Sequence, residues 1–127
     1  MEEAYDEKYE YRKELDNVDK QIYEQESLIK ECNNANETFS KIRKSMDRCI
    51  DLLSRSVKGA SASKDYEEMH YVNESEYSKL TKEAEDNRLE ATRKLEDLRE
   101  QRQKLIERLE ADEDDEEKSD DRSVNFD

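Results

Sequence analysis

Lys58-Gly-Ala-Ser-Ala-Ser-Lys64 is the stretch on which the fold turns. It holds the chain's one glycine, Gly59, in a sequence with no proline. A glycine placed where an apolar periodicity breaks off marks a helix end, because it adopts a left-handed C-cap backbone without strain. Helical patterns run up to this stretch and away from it. A short joint between two such patterns favours antiparallel neighbours.

Upstream, Tyr11, Leu15, Val18, Ile22, Ile29 and Cys32 recur at three- and four-residue steps, with Gln25 filling one position. The steps resume as Ala35, Phe39, Ile42, Met46, Cys49, Leu53 and Val57. This is heptad-like spacing. Two three-residue steps in succession between Ile29 and Ala35 form a stammer, which overwinds a coiled coil locally. It coincides with the polar run Cys32-Asn-Asn-Ala-Asn36, whose residues form helix poorly. Downstream, the stripe is Tyr77, Leu80, Ala84, Arg88, Ala91, Leu95, Leu98, Arg102, Leu105 and Leu109. Its surroundings are rich in Glu, Lys, Arg and Leu, and Glu90–Lys94 and Glu100–Lys104 have the favourable i,i+4 order. Asp65 with Glu68 reads as a capping-box start, and Asn73 with Glu76 as a second one.

The reading is an all-α, coiled-coil-like antiparallel two-helix hairpin. An acidic extension occupies residues 1–10, the first helix 11–57, the turn 58–64, the second helix 65–109 and a disordered acidic tail 110–127. Val57 and Gly59 mark the turn. The stripes mirror each other about residue 62, which sets Leu15 opposite Leu109, Ile22 opposite Arg102, Ile29 opposite Leu95, and small Ala84 opposite bulky Phe39. Each arm is expected to be ~65–70 Å long.

Composition excludes much else. Of the 127 residues, 47% are charged and only 31% hydrophobic, too few to fill a conventional globular core. One glycine and no proline cannot serve the repeated turns of a sandwich, a barrel or a multi-strand α/β domain. The net charge of −14 opposes binding to nucleic acid or to an anionic membrane surface. More than half of that charge lies in residues 110–127, where ten acids outnumber two bases. No segment approaches the ~20 apolar residues of a membrane helix. The opening Met1-Glu-Glu-Ala-Tyr-Asp-Glu7 is acidic where a secretory signal would be basic and then apolar, so a cytoplasmic location is expected.

No constellation for chemistry stands out, and neither enzyme activity nor a cofactor is expected. Phosphate-cradling motifs need several glycines, and an EF-hand needs a glycine inside its acidic loop. Glu67-Glu-Met-His70 has the Glu-x-x-His spacing of di-iron bundles, but such a site needs two copies and further inward glutamates. Cys32 and Cys49 lie 17 residues apart, ~25 Å along one helix, too far for an intrachain disulfide. Neither has a histidine base other than His70 in the whole chain.

A protein partner is expected instead. Two slender helices bury little apolar surface against the entropy of ordering them. Apolar residues also spread beyond the seam. Ile50 and Leu52 flank Cys49 and Leu53. The tip adds Tyr66, Met69, Tyr71 and Val72, and Ile106 widens the open end. Tyr and Met patches suit partner surfaces. These seven residues, Ile50, Leu52, Tyr66, Met69, Tyr71, Val72 and Ile106, are the candidate partner-binding set. The competing reading is that they close the hairpin's own ends.

Val57-Lys58-Gly59 between two long helices resembles the W-x-G turn of the WXG superfamily of type VII secretion, with Val in place of Trp. The layout over residues ~11–109 is similar to the small helical partners of LXG toxins. The Tyr-x-x-x-Asp/Glu export signal of that group is missing, since none of the seven tyrosines has an acid four residues on. The resemblance implies a non-enzymatic adaptor that bundles with a toxin's helical targeting domain before export, and co-secretion would then depend on that partner. The alternatives are a coiled-coil scaffold or homo-oligomeric structural protein, and a prefoldin-like chaperone.

Overall fold

The structure, a computed structural model, describes the backbone of residues 2–124 and the side chains of residues 7–111. It is an all-α hairpin of two antiparallel helices, α1 (Glu2–Ser56) and α2 (Ala60–Val124), with no strand among the described residues. The acidic extension is thus part of α1. Its residues include neither glycine nor proline, and acids near a helix N-terminus complement the macrodipole. The disorder expected of the tail falls almost entirely on residues whose side chains lie outside the described ones.

The joint is shorter than the sequence suggests, residues 57–59 rather than 58–64, and α2 starts at Ala60 rather than 65. The reason lies in how the ends are capped. The Val57 amide donates to the Leu53 carbonyl at 2.9 Å, closing the last turn of α1. Ser54 and Ser56 donate their hydroxyls to the carbonyls of Asp51 (2.6 Å) and Leu52 (3.1 Å). The Gly59 carbonyl accepts from the Ser63 amide at 3.0 Å, which makes Gly59 the N-cap of α2 rather than the C-cap of α1. Its φ of +149° is open to glycine and strained for other residues. With that cap in place, Ala60-Ser-Ala-Ser-Lys64 contains no breaker, and the capping boxes at 65 and 73 are not used.

A Cβ added at Gly59 would meet nothing within 4 Å. Gly59→Ala is therefore a backbone test without a steric term, and it should destabilise the hairpin by about 1 kcal/mol through φ alone. Urea denaturation would show a lower midpoint with an unchanged m-value.

The early start of α2 moves the register. Asp19 pairs with Arg102, Asp47 with His70, Arg108 covers Tyr11, and Tyr66 reaches Leu53, so the helices mirror about residue 60 rather than 62. In an antiparallel pair, that shift displaces each partner by about one helical turn. Arg102 accordingly meets Asp19, at 2.7 Å, instead of standing opposite Ile22.

The hairpin divides into two packed units, one of Met1–Glu26 with Thr92–Asp127 and one of Ser27–Ala91. In the first, Val18, Leu98 and Leu105 form a buried cluster flanked by Tyr11, Leu15 and Ile22, as the apolar stripes require. Ion pairs Arg102–Asp19 and Arg99–Glu26 (3.5 Å) bridge its two helices. Exposed pairs of this kind contribute little stability individually, so the cluster carries this unit. The second unit is built differently.

Candidate functional site: the tip unit

In the tip unit, the α1 residues turned toward α2 are Cys32, Asn36, Arg43, Asp47, Ile50 and Ser54, at three- and four-residue steps with Phe39 and Ser40 between. Their counterparts on α2 are Tyr66, His70, Asn73, Tyr77, Ala84, Arg88 and Ala91. The seam here is largely polar. The apolar stripe Ile42, Met46, Cys49, Leu53 and Val57, read from the sequence as the seam, is exposed. The stammer explains the difference. An overwound coil would have kept both stripe segments on one line, but α1 continues as an α-helix without interruption from Cys32 to Asn36. Each residue slipped in a heptad phase turns a side chain by about 100°, so the stripe beyond Cys32 leaves the seam.

The polar seam is closely paired. His70 sits between two carboxylates of α1, with Nδ1 3.0 Å from Asp47 Oδ1 and Nε2 3.4 Å from Asp51 Oδ1. A ring protonated at both nitrogens donates to both, whereas a neutral ring donates to one. The Asn73 amide donates to the Arg43 carbonyl at 3.1 Å and to Asp47 Oδ1 at 3.0 Å. Arg43 pairs with Glu74 at 3.3 Å and lies over the Tyr77 ring, 4.2 Å from its centroid. At the turn, the Tyr66 hydroxyl is shared between the Leu53 (3.0 Å) and Val57 (2.8 Å) carbonyls and so caps the end of α1 from α2. These bonds are directional, and they set the register where apolar packing is thin.

Hydrogen bonds from His70 and then Asn73 hold the Asp47 carboxyl below its usual value of 3.8, against an opposing push from desolvation and with help from the charges of His70 and Arg43. A carboxylate whose folded-state value is lowered adds stability above its unfolded value and loses it as pH falls through the folded one. Wild-type stability should therefore drop as pH falls below about 4, and Asp47→Asn should remove part of that slope. Asp47 is 42% exposed, so the increment is below about 1 kcal/mol. Urea midpoints at several pH values would measure it.

Five of the exposed apolar residues, Ile42, Met46, Leu53, Met69 and Val72, share one side of the unit. Met46 and Ile50 of α1 face Met69 and Val72 of α2 across an open groove, whose other walls are Asp65, Glu68, Asn73 and Glu76. Ile42, Met46, Leu53, Met69 and Val72 are each between 44% and 54% exposed. Of the candidate partner residues, Met69 and Val72 thus lie together. Ile50 is buried in the hairpin's own seam at 6% exposure and meets the groove only with its edge. Tyr66 is engaged in the cap. Leu52 and Tyr71 are exposed, and Tyr71 lines a different depression with Glu74 and Ser78. Ile106 is half-buried in the other unit. Val57 is exposed at the turn beside Gly59.

Sequence reading missed Arg43, Asp47, His70 and Asn73 as a connected seam. The signal was present as a second heptad, Asn36, Arg43, Asp47, Ile50 and Ser54, lying one residue off the apolar one. Neither cysteine is in a disulfide; Cys32 is buried and Cys49 exposed. No helix among the described residues is long and apolar enough to cross a membrane. No protein-family model, no curated protein and no solved structure matches the chain.

Proposed function

We propose that this chain is a non-enzymatic helical partner protein whose tip unit supplies two helices to a bundle that another protein completes. The observation that carries this reading is the displaced stripe. Ile42, Met46 and Leu53 repeat at helical spacing, and Met69 and Val72 lie on the same side, yet the hairpin leaves them half in water. Regular apolar spacing over three turns is helix-packing chemistry, and it needs a facing helix to remove it from solvent. The partner class we put forward is the helical targeting domain of a type VII secreted toxin, with the chain acting as an adaptor before export. The layout of two long helices about Val57-Lys58-Gly59 supports this reading, and so does the widening of the apolar surface toward the turn.

Co-expression with an LXG-type targeting domain tests the proposal. The expected result is a stable heterocomplex that is lost with Ile42→Gln/Met46→Gln/Leu53→Gln while the isolated variant keeps its helix content. Failure to bind any such domain, together with a symmetric oligomer by light scattering, would favour the homo-oligomeric scaffold instead.

A further inference from the structure

We infer that the tip groove takes a cationic amphipathic helix of another protein, seated with its apolar side on Met46, Met69 and Val72 and its lysines or arginines over Asp65, Glu68 and Glu76. This rests on the reading of the tip as a helix-binding surface and adds the chemistry of what it binds.

Three observations carry it. The first is the charge of the walls: every charged residue lining the groove is a carboxylate. Among the described residues, Asp65 and Glu68 have no ion-pair partner, and Glu76 has only Lys79 of its own helix, 3.7 Å away and exposed. Carboxylates beside an apolar strip await opposite charge, and complementarity of this kind sets partner choice and association rate.

The second is where the chain's own cations go. Lys41, Lys44, Arg48 and Arg55 fall, by helical periodicity, on the side of α1 opposite Met46 and Leu53. A second copy docking through this face would bring its own Asp65, Glu68 and Glu76 against the same carboxylates, with these α1 cations turned away and Lys79 of α2 already beside its own Glu76. Self-association is thereby disfavoured, and the complementary helix belongs to a different chain.

The third is the lining. Two methionines face each other across the groove. Unbranched thioether side chains adapt to the shape of an incoming helix, and an amphipathic helix buries an i, i+3/i+4, i+7 edge in such a groove. The unused capping box has a consequence here. Because α2 starts at Ala60, Asp65 and Glu68 stand within the helix and face the groove instead of closing a terminus.

The test uses the full chain and synthetic peptides of about 20 residues with Leu at three- and four-residue steps. One peptide carries Lys on the flanks, a second Glu in the same places, and a third Ser in place of Leu. Fluorescence anisotropy at two salt concentrations should show binding of the Lys peptide alone, weaker at high salt. Asp65→Lys/Glu68→Lys should weaken it by about tenfold or more. Glu37→Lys/Glu67→Lys makes the same charge change away from the groove and should alter affinity by less than about threefold. Met46→Ser/Met69→Ser should abolish binding with helix content unchanged by circular dichroism.

Equal binding of the Glu peptide, or equal loss with the two charge reversals, overturns the inference. So does a stable dimer by sedimentation that Met46→Ser/Met69→Ser dissolves, since a second copy would then be the occupant. The outcomes also separate this inference from the functional reading. A targeting domain captured without regard to Asp65, Glu68, Met46 or Met69 sinks the groove assignment and leaves the adaptor. Lys-peptide binding without capture of any targeting domain does the reverse.

Discussion

Leu98→Ala is expected to lower the stability of the hairpin by about 2–3 kcal/mol, a loss of the size that truncating a buried leucine brings. Leu98 is 8% exposed and packs with Val18 and Leu105 in the buried apolar cluster of its unit's described residues. Truncation removes the transfer free energy of three carbons and leaves a space the neighbours fill only partly. The effect stays in the lower half of the range for buried leucines because no large described side chain is fully enclosed, so water reaches part of the space. Ile42→Ala is the control. Its side chain is 54% exposed, and its loss should be less than about 1 kcal/mol. Urea midpoints for both variants decide the matter. Equal losses would mean that Ile42 is buried in the isolated protein, and the exposed face with it.

Asn36→Leu is expected to act in the opposite direction and raise stability by about 1–2 kcal/mol. Asn36 Oδ1 is buried among the described residues without a hydrogen-bond partner, and such an atom loses its hydration for nothing in return. Asn36 occupies a seam position, and the register about residue 60 sets it level with Ala84, one of the smallest buried side chains. A leucine there removes the orphaned carbonyl and meets a partner that leaves it room. It also adds apolar surface to the seam just where the apolar stripe departs from it. A higher melting temperature with an unchanged helix signal is the outcome sought. A lower one would show that Asn36 is satisfied in solution. An Asn at one seam position commonly fixes register at the expense of stability, so the variant should also be checked for altered association by sedimentation.

The two arms were readable to different depths. Over Tyr11 to Ile22 and Leu95 to Leu105, the apolar stripe, the geometric face and the buried cluster coincide, and spacing alone picks out Val18, Leu98 and Leu105. Beyond Cys32 the same spacing marks the wrong face. Heptad counting follows apolar residues, and it assumes that the helix bends to keep them inside. Here α1 keeps its α-helical course, and Arg43, Asp47, His70 and Asn73 take the seam because their hydrogen bonds and ion pairs are satisfied there. Ile50 reads as a flanking residue in the apolar count and becomes the buried one, because it falls in phase with Asp47 and Ser54. Met69 and Val72, singled out by type and position at the tip, do lie together on the exposed side.

The one-dimensional pattern was enough for the architecture: an absence of proline, a single glycine and two long helical periodicities leave a two-helix hairpin as the compact solution. Those are local preferences, and each is set by residues within a turn or two of one another. The side of each helix that meets the other depends on register, and register depends on where α2 begins. That was decided at Gly59, by a cap that moved the pivot about two residues and most cross-helix pairings by about one turn. Only with both helices in place is it apparent that the tip's polar residues close on each other and leave its methionines, with their acidic border, facing outward. Pairings between residues tens of positions apart leave no mark in the spacing of either segment alone.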